Sequence, residues 1–391
     1  RNSWERASSP MMAHETPLHL LHVFSTFAVG GPQIRFAALA NSLGRKYRHS
    51  IVAMDGNYDA AKIVGDNIPF SIEPMPVRKS RGLSLANIRR GRSLLHRLKP
   101  ALLCTYNWGA VEWCLANWPL SVCPHIHLED GFGPDEGAGR QHWRRMAMRR
   151  LLLRCCEKVI VPSRLLQDIA ISRWKLPERD VVLLPNGVDC ERFSRMPNGD
   201  LISSLGIGSE DLVVGTVAAL RREKNLGRLL RVFSALPRDI PAKLVIVGGG
   251  PEQPMLAEMA KTLGISDRVV VVGPLKEPEE ILRRFDVFAL SSDTEQMPNS
   301  ILEAMAASLP VLATNVGDVR HMVSRENMPF VFPVGNEAAL RGGLLKLLIE
   351  PQLRSTLGKL NRDRVLAEYG LKRMVANYDA LFANFAAARP D

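Results

Sequence analysis

Along most of the chain, short apolar runs rich in β-branched residues alternate with stretches whose apolar residues recur at helical spacing. Successive parallel strands need a long crossover, usually a helix, and strands covered on both faces read as unbroken apolar runs rather than as alternation. The rhythm therefore predicts parallel sheets with helices on both sides. At 391 residues the chain is too long for one core, so the expectation is an α/β protein of two Rossmann-like doubly wound domains facing across a cleft. Strands are predicted at 18–25, 50–54, 101–105, 123–128, 158–161 and 181–184, and again at 212–217, 244–247, 269–272, 287–290, 310–313 and 330–332. Helices are predicted at 85–98 and 140–154 between strands of the first set. Residues 1–12, opening on Arg1 ahead of Met11 and Met12, read as a trimmed or extraneous start outside the fold. Residues 13–192 form the first domain and 193–370 the second; 371–391 is a terminal helix expected to cross back to the first domain.

Lys and Arg total 51 against 40 Asp and Glu, a net charge of +11, which suits an anionic partner. The best apolar runs, 151–153 and 159–161, are interrupted by Arg154, Glu157 and Lys158, far short of the roughly 18 residues of a bilayer-spanning helix. The six cysteines (Cys104, Cys114, Cys123, Cys155, Cys156 and Cys190) show no CxxC spacing, and the adjacent Cys155 and Cys156 suit neither zinc nor an ordinary disulfide framework. They read as reduced core thiols of a cytoplasmic protein.

Three loops carry candidate chemistry. Gly30-Gly31 lies between the first strand and the first helix, where bare amides and a helix N-terminus face an anion, although a tight turn alone would also use two glycines. Arg221-Arg222-Glu223-Lys224 follows the 212–217 strand, a ligand-binding position in α/β sheets, and is otherwise a solvated charged loop. Glu295 and Glu303, with seven residues between them, bracket the start of a helix after the 287–290 strand. Ser300 and Glu303 also fit a capping box, which is a sufficient structural reason for Glu303.

These residues carry a resemblance. Leu220…Glu223-Lys224-Asn225, Val247-Gly248-Gly249-Gly250-Pro251-Glu252, Arg268-Val269…Gly273, the Glu295/Glu303 pair, Glu303-Ala304-Met305-Ala306 and Leu309-Pro310-Val311 agree in order and spacing with the retaining glycosyltransferases of family four, also called glycosyl transferases group one, which have the GT-B fold. Gly30-Gly31, Val161-Pro162-Ser163 and Asn186-Gly187-Val188-Asp189 extend the resemblance over residues 17–385, more loosely in the N-terminal half. It implies a retaining transferase that moves a sugar from a UDP- or GDP-sugar, held by the C-terminal domain, to a sugar or lipid-linked acceptor held by the N-terminal one. Lys224 would bind the diphosphate, Glu295 the transferred sugar and Glu303 the ribose hydroxyls. Amides of Asn299, Ser300, Gly30 and Gly31 would complete the phosphate cradle, with Arg221, Arg222, Gly249, Leu275, Met297 and Pro298 lining the donor. Family members use no metal and no cofactor, the leaving phosphate itself taking the acceptor proton, and no Asp-x-Asp metal motif is present.

Three positions depart from the family. Ala219 stands where an Arg is usual, with Arg221 or Arg222 as substitutes; Gly317-Asp318-Val319-Arg320-His321 stands where a Glu is frequent, and nothing is assigned there; Asp130 stands where a His is common. Asp130, then Glu129 and His127, are the acceptor-side candidates, with Asp135 and Glu136 in the adjoining loop, while His125 reads as a hydrogen-bonded core residue and Asp130-Gly131 is equally an ordinary turn pair. Two basic tracts, from Arg78 to Lys99 and from Arg140 to Lys158, are solvated faces or, where Trp143, Met146, Leu151 and Leu152 interleave with arginines, a peripheral contact with anionic membrane. Charge alone, without a nucleic-acid-binding motif, does not support a nucleic-acid partner. Alternatives of the same fold are a nucleotide-sugar epimerase or phosphorylase, or a non-catalytic nucleotide-sugar-binding scaffold; the expected setting is bacterial surface polysaccharide or glycolipid synthesis at the inner membrane face.

Overall fold

The computed structural model describes residues 17–74, 83–132, 136 and 141–386. The expected residues 1–12, and Arg78, Lys79, Arg81, Asp135 and Arg140 of the sequence reading, lie outside the described residues. The first sheet is built from β1 (Leu18–Phe24), β2 (Tyr47–Ala53), β3 (Phe70–Ile72), β4 (Leu102–Tyr106), β5 (His125–Leu128), β6 (Lys158–Val161) and β7 (Val181–Leu183), in the order β3-β2-β1-β4-β5-β6-β7. The second contains β8 (Leu212–Val217), β9 (Ala242–Val247), β10 (Val269–Gly273), β11 (Val287–Leu290), β12 (Val311–Thr314) and β13 (Val331–Phe332), in the order β10-β9-β8-β11-β12-β13. Every pairing is parallel. Both halves are thus doubly wound Rossmann-like domains, as the strand and helix rhythm predicts.

Both sheets reverse their winding at their first strand, between β1 and β4 and between β8 and β11. These are the switch points where the loops leaving the carboxyl ends of neighbouring strands diverge and leave a crevice. β3 is absent from the sequence reading: it is a three-residue edge strand, half-exposed, with no apolar run to announce it. β2 starts three residues before its apolar run, with Tyr47 and His49 turned inward and Arg48 outward.

The chain crosses between domains twice, side by side. Val188 N–H donates to Tyr369 O and Leu371 N–H to Val188 O, each at 2.9 Å. Gly187 permits this approach, since a Cβ there would lie 2.8 Å from Met374 Cβ. Beyond the second crossing, the helix Leu371–Ala386 returns to the first domain. Its Met374, Tyr378 and Phe382 are buried in the same core as Leu20, Phe24, Phe36, Tyr47 and Tyr106. Phe382 meets Tyr47 edge-on at 5.7 Å, and Asp379 accepts from Lys46 Nζ and the Tyr47 hydroxyl at 2.7 Å. Among the described residues, no helix is long and apolar enough to cross a membrane.

The last sixteen-residue helix therefore stabilises the domain it does not adjoin in sequence. Phe382→Ala, which leaves a ring-sized cavity, is expected to cost about 3–5 kcal/mol. Native-state hydrogen exchange should show the loss in β1 and β2 and spare β8 and β9.

Candidate functional site

The loops leaving β8 and β11 flank the second switch point and are laced together. Lys224 Nζ donates to Glu295 Oε1 at 2.6 Å, and Ser292 Oγ donates to the same oxygen at 2.7 Å. Asn225 holds a left-handed backbone (φ 43°), caps the following helix through Arg228 N–H, and donates from Nδ2 to Asp293. Arg228, buried, adds bonds to Ser291 O (2.8 Å) and to Asp293 Oδ1 (2.7 Å). Two loops far apart in sequence are thereby fixed, with Lys224 and Glu295 partly exposed at their lip. Arg221, Arg222 and Ala219 are exposed on the same loop.

The three glycines after β9 serve close packing. At Gly248 (φ 140°) a Cβ would lie 1.8 Å from Ala218 O, and at Gly250 (φ 158°) 2.4 Å from Leu220 O; Gly249 O accepts from Leu220 N–H at 3.0 Å. The glycine run therefore holds the strand exit that carries Lys224. Leu275, partly buried, packs on the core beneath helix Asn299–Ala306.

That helix opens differently from the capping-box expectation. Pro298 is its N-cap, Asn299 and Ser300 already lie in its first turn, and no side chain caps it. Ser300 is two residues too far in to cap, so Glu303 is released from the reciprocal bond that would have explained it. Its carboxyl is instead enclosed, and burial pushes its pKa up to about 7, with Arg192 opposing and Glu279 reinforcing the rise. Arg192 is itself committed to Glu279 by two bonds. The uncapped amides of this helix point toward the first domain, where a Cβ on Gly31 would lie 4.0 Å from Asn299 Nδ2. Gly30 and Gly31 open the facing helix Gly31–Leu43. Two helix N-termini, each a partial positive charge, thus meet across the cleft.

The acceptor-side candidates fare differently from their sequence reading. Asp130 is held by Arg35, which donates from Nη2 to Oδ2 at 2.9 Å and from Nη1 to Oδ1, with side chains only 4% and 13% exposed for Arg35 and Asp130. Both oxygens are engaged, so Asp130 stands as the counter-ion of Arg35 rather than as a free base. His127 and Glu129 are both fully buried: β5 is an inner strand buried at every position, and Glu129 follows it directly. His127 meets Thr105 Oγ1 at 2.9 Å and Glu129 Oε2 at 3.3 Å. Burial would raise the Glu129 pKa, but Arg149 and His127 outweigh it and hold the carboxyl low. Arg149 is completely buried, enclosed by the rings of Trp108, Phe132 and Trp174 at 5.0–5.5 Å, and also reaches Glu136 at 3.3 Å. Arg149 of the second basic tract thus belongs to an internal ion network with Glu129 and Glu136, which the run of arginines concealed.

Sequence reasoning missed the residues that bridge the domains. Arg35 also donates to Asn186 Oδ1 (3.1 Å), and Asn186 Nδ2 donates to Met297 O (3.2 Å). Asp318, left unassigned from sequence, accepts from Arg164 N–H (2.7 Å) and Leu165 N–H (3.1 Å), capping the helix Arg164–Ser172 of the other domain. Its own N–H donates to Gln296 O at 2.9 Å. Gly317 (φ 53°) allows this, since a Cβ would lie 2.3 Å from Gln296 O. The loop carrying Glu295 is therefore buttressed by a residue that also grips the first domain. An interdomain cavity of about 310 Å³ adjoins this contact, bordered by Arg164, Asn186, Met297, Asp318, Tyr369 and Arg373.

The fold agrees with the comparisons. Residues 199–364 match the glycosyl transferases group 1 family and residues 29–192 match glycosyltransferase family 4. The chain belongs to this family. It is 24% identical over 206 residues to N-acetyl-alpha-D-glucosaminyl L-malate synthase of Bacillus anthracis (53% of this chain, 54% of that one). It is 27% identical over 212 residues to alpha-monoglucosyldiacylglycerol synthase of Acholeplasma laidlawii (52% of each). The chain spans about half the length of the curated relatives it matches. The Anabaena HepE protein, solved in complex with UDP, superposes with a TM-score of 0.79 at 17% identity, over 94% of this chain and 100% of that one. The fold is that of the GT-B glycosyltransferases.

Asp318→Ala leaves two first-turn amides without their acceptor and is expected to cost about 1–2 kcal/mol. Limited proteolysis should show faster cutting near the crossing at 186–190 if the two domains then sample more open arrangements.

Proposed function

We propose that this chain transfers a glycosyl group from a nucleoside-diphosphate sugar, a UDP-sugar in the first place, to a hydroxyl of a sugar or lipid-linked acceptor, with retention at the anomeric carbon. The observation that carries the reading is the Lys224–Glu295 pair at the switch point, set beside two facing helix N-termini. The charge that develops on the leaving diphosphate is met by Lys224 and by the amides of Gly30, Gly31, Asn299 and Ser300, which do the electrostatic work a divalent ion does elsewhere. Glu295, released by Lys224 when the diphosphate takes that cation, accepts from hydroxyls of the transferred sugar. Glu303 accepts from the ribose diol. The acceptor hydroxyl attacks from the face the diphosphate leaves, and a phosphate oxygen takes its proton. Closure about the paired crossings brings the Gly30–Gly31 turn onto the donor and expels the water that would otherwise hydrolyse it.

A lipid-linked acceptor at the inner face of the cytoplasmic membrane is favoured by the helix Trp143–Leu152. Trp143, Arg144, Ala147, Arg150 and Leu151 are exposed along one stripe, Trp143 and Leu151 each by 70%, and no acidic side chain interrupts it. That mixture suits insertion of aromatic and aliphatic groups among anionic headgroups. A non-catalytic nucleotide-sugar-binding subunit is the second reading, motivated by exposed Ala219 and by the engaged Asp130.

Calorimetry and thermal shift against UDP, GDP, ADP and their sugar conjugates, with and without EDTA, separate these readings. UDP in hundredfold excess over its Kd should stabilise the wild type by about 2.7 kcal/mol without added metal, and Lys224→Ala or Glu303→Ala should abolish most of this. Binding of UDP-sugar with no slow hydrolysis and no transfer to any acceptor would favour the non-catalytic reading; no nucleotide binding would overturn both.

A pH dependence follows from Glu303. Its ordinary pKa is near 4.5 and the folded value is about 7, so the empty protein binds the extra proton between these values and gains stability as pH falls through that window. Ribose hydroxyls donate to a carboxylate, so nucleotide binding favours the ionised form and releases the proton. UDP affinity should therefore rise with pH, by at most about tenfold per unit below pH 7, and level off above it. In Glu303→Gln the slope should vanish.

A further inference from the structure

Helix-end amides stabilise a phosphate only where they face it at hydrogen-bond distance, since the effect fades within one turn. Gly30 and Gly31 lie in one domain and Asn299 and Ser300 in the other, so their joint aim depends on what sets one helix against its neighbour. Gln33 donates to Thr26 O at 2.8 Å and ties the helix Gly31–Leu43 to the loop after its own strand β1. The offset between the two domains is fixed elsewhere.

Arg35 is buried on the same helix, a little over one turn beyond Gly31. Its guanidinium is gripped by Asp130, which accepts from Nη2 at Oδ2 (2.9 Å) and from Nη1 at Oδ1, so the planar fork cannot turn. The remaining Nη1 proton points at Asn186 Oδ1, 3.1 Å away. Asn186 opens the first interdomain crossing, and its Nδ2 donates to Met297 O at 3.2 Å while its backbone N–H meets Met297 Sδ at 3.2 Å. Only this orientation of the Asn186 amide satisfies both neighbours, because arginine only donates and a carbonyl only accepts. Met297 is buried and directly precedes Pro298, the N-cap of helix Asn299–Ala306. An unbroken run of hydrogen bonds thus leads from the second turn of one helix to the residue before the N-cap of the other. The interdomain bonds of Asp318 and Gln296, to Arg164, Leu165 and Ser163, hold the helix Arg164–Ser172 instead.

We propose that Arg35 and Asn186 are positioning residues for the diphosphate. With Asp130 and Met297 O they hold the Gly31 and Asn299 helix ends at the offset where both sets of amides reach one leaving group. The inference rests on the function proposed above. Asparagine suits position 186 because it accepts from one domain and donates to the other; aspartate, of the same shape, accepts from Arg35 but has no proton for Met297 O. Both residues act through backbone amides, so breaking the link removes the contribution of the glycine turn and leaves Lys224, Glu295 and Glu303 in place.

The test compares the wild-type chain with Asn186→Asp and Arg35→Lys by hydrogen exchange with and without UDP, GDP taking its place if UDP does not bind, and by the turnover of the matching nucleotide sugar. In the wild type, nucleotide should slow exchange both at 299–303 and at 30–35. In Asn186→Asp the protection at 299–303 should remain and that at 30–35 should be lost, while kcat falls about a hundredfold and KM moves much less. Arg35→Lys keeps a cation beside Asp130 but loses the fork, and should show the same segment-specific loss; if it fails to fold, Asn186→Asp decides alone. Unchanged protection at 30–35 with unchanged kcat in Asn186→Asp would overturn the positioning role and leave the donor reading standing. Faster exchange spread over β8 and β9 with no segment-specific loss, the mark of a merely structural role, would overturn it equally. Nucleotide that protects neither segment of the wild type would overturn the donor reading and this inference with it.

Discussion

Parallel strand pairing is the constraint on which the rest of this molecule depends. Because each strand of both sheets runs the same way, every loop that leaves a strand's carboxyl end emerges on one side of its sheet, and every helix must run back over a face. Lys224 and Glu295 are 71 residues apart in sequence, yet they sit on loops from β8 and β11, which are hydrogen-bonded neighbours, so their 2.6 Å contact follows from the winding order. The same order brings Asn107, at the exit of β4, to accept from the Asp130 amide at the exit of β5 (2.7 Å). Placing two such sheets with their loop sides opposed makes a cleft lined by chain ends of helices and strands, where unsatisfied amides concentrate.

What the sequence makes legible is whatever depends on contiguous residues. Helix Leu85–Leu98 begins and ends where its periodicity says it should, and the strand runs are found within a few residues of their ends. The Glu295/Glu303 pair is readable because both members lie on one loop-to-helix segment. The capping-box reading failed because Pro298, with φ near −69°, already occupies the N-cap and draws Asn299 and Ser300 into the helix. Nothing in a linear reading pairs Arg35 with Asp130 or Asp318 with the amides of Arg164 and Leu165, since those contacts are created by the approach of elements distant in sequence.

The first domain accommodates far more buried charge than its arginine-rich sequence suggests. Arg35 with Asp130, and Arg149 with Glu129 and Glu136, are ion pairs whose members are almost wholly removed from water. Such pairs rarely add net stability, but removal of one partner leaves an isolated charge in a medium that cannot solvate it. They therefore act as fixed geometry. Arg149 sits between three aromatic rings and two carboxylates and holds the loop after β5 against the helix Trp143–Leu152, whose outer stripe is the exposed tryptophan and leucine face. A buried network thus connects the residues that follow β5 to the helix that carries the exposed Trp143 and Leu151.

The alanine at position 219 bears on the charge around the exit of β8. An exposed alanine removes one cation from the β8 exit, and Arg221 and Arg222, exposed two and three residues on, lie on the same loop. The remaining positive potential comes from Lys224 and from two helix ends that require no side chain. Helix-end amides are already oriented by the backbone, so they stabilise developing charge without the ordering cost of a long arginine side chain. The two ends lie close across the cleft, where a Cβ on Gly31 would come within 4.0 Å of Asn299 Nδ2, and Asp318 adds a separate interdomain contact through the amides of the helix that follows β6. At a strand exit where Ala219 carries no charge, part of the positive potential of the cleft thus comes from the backbone of the two helix ends and so from the alignment of the two domains.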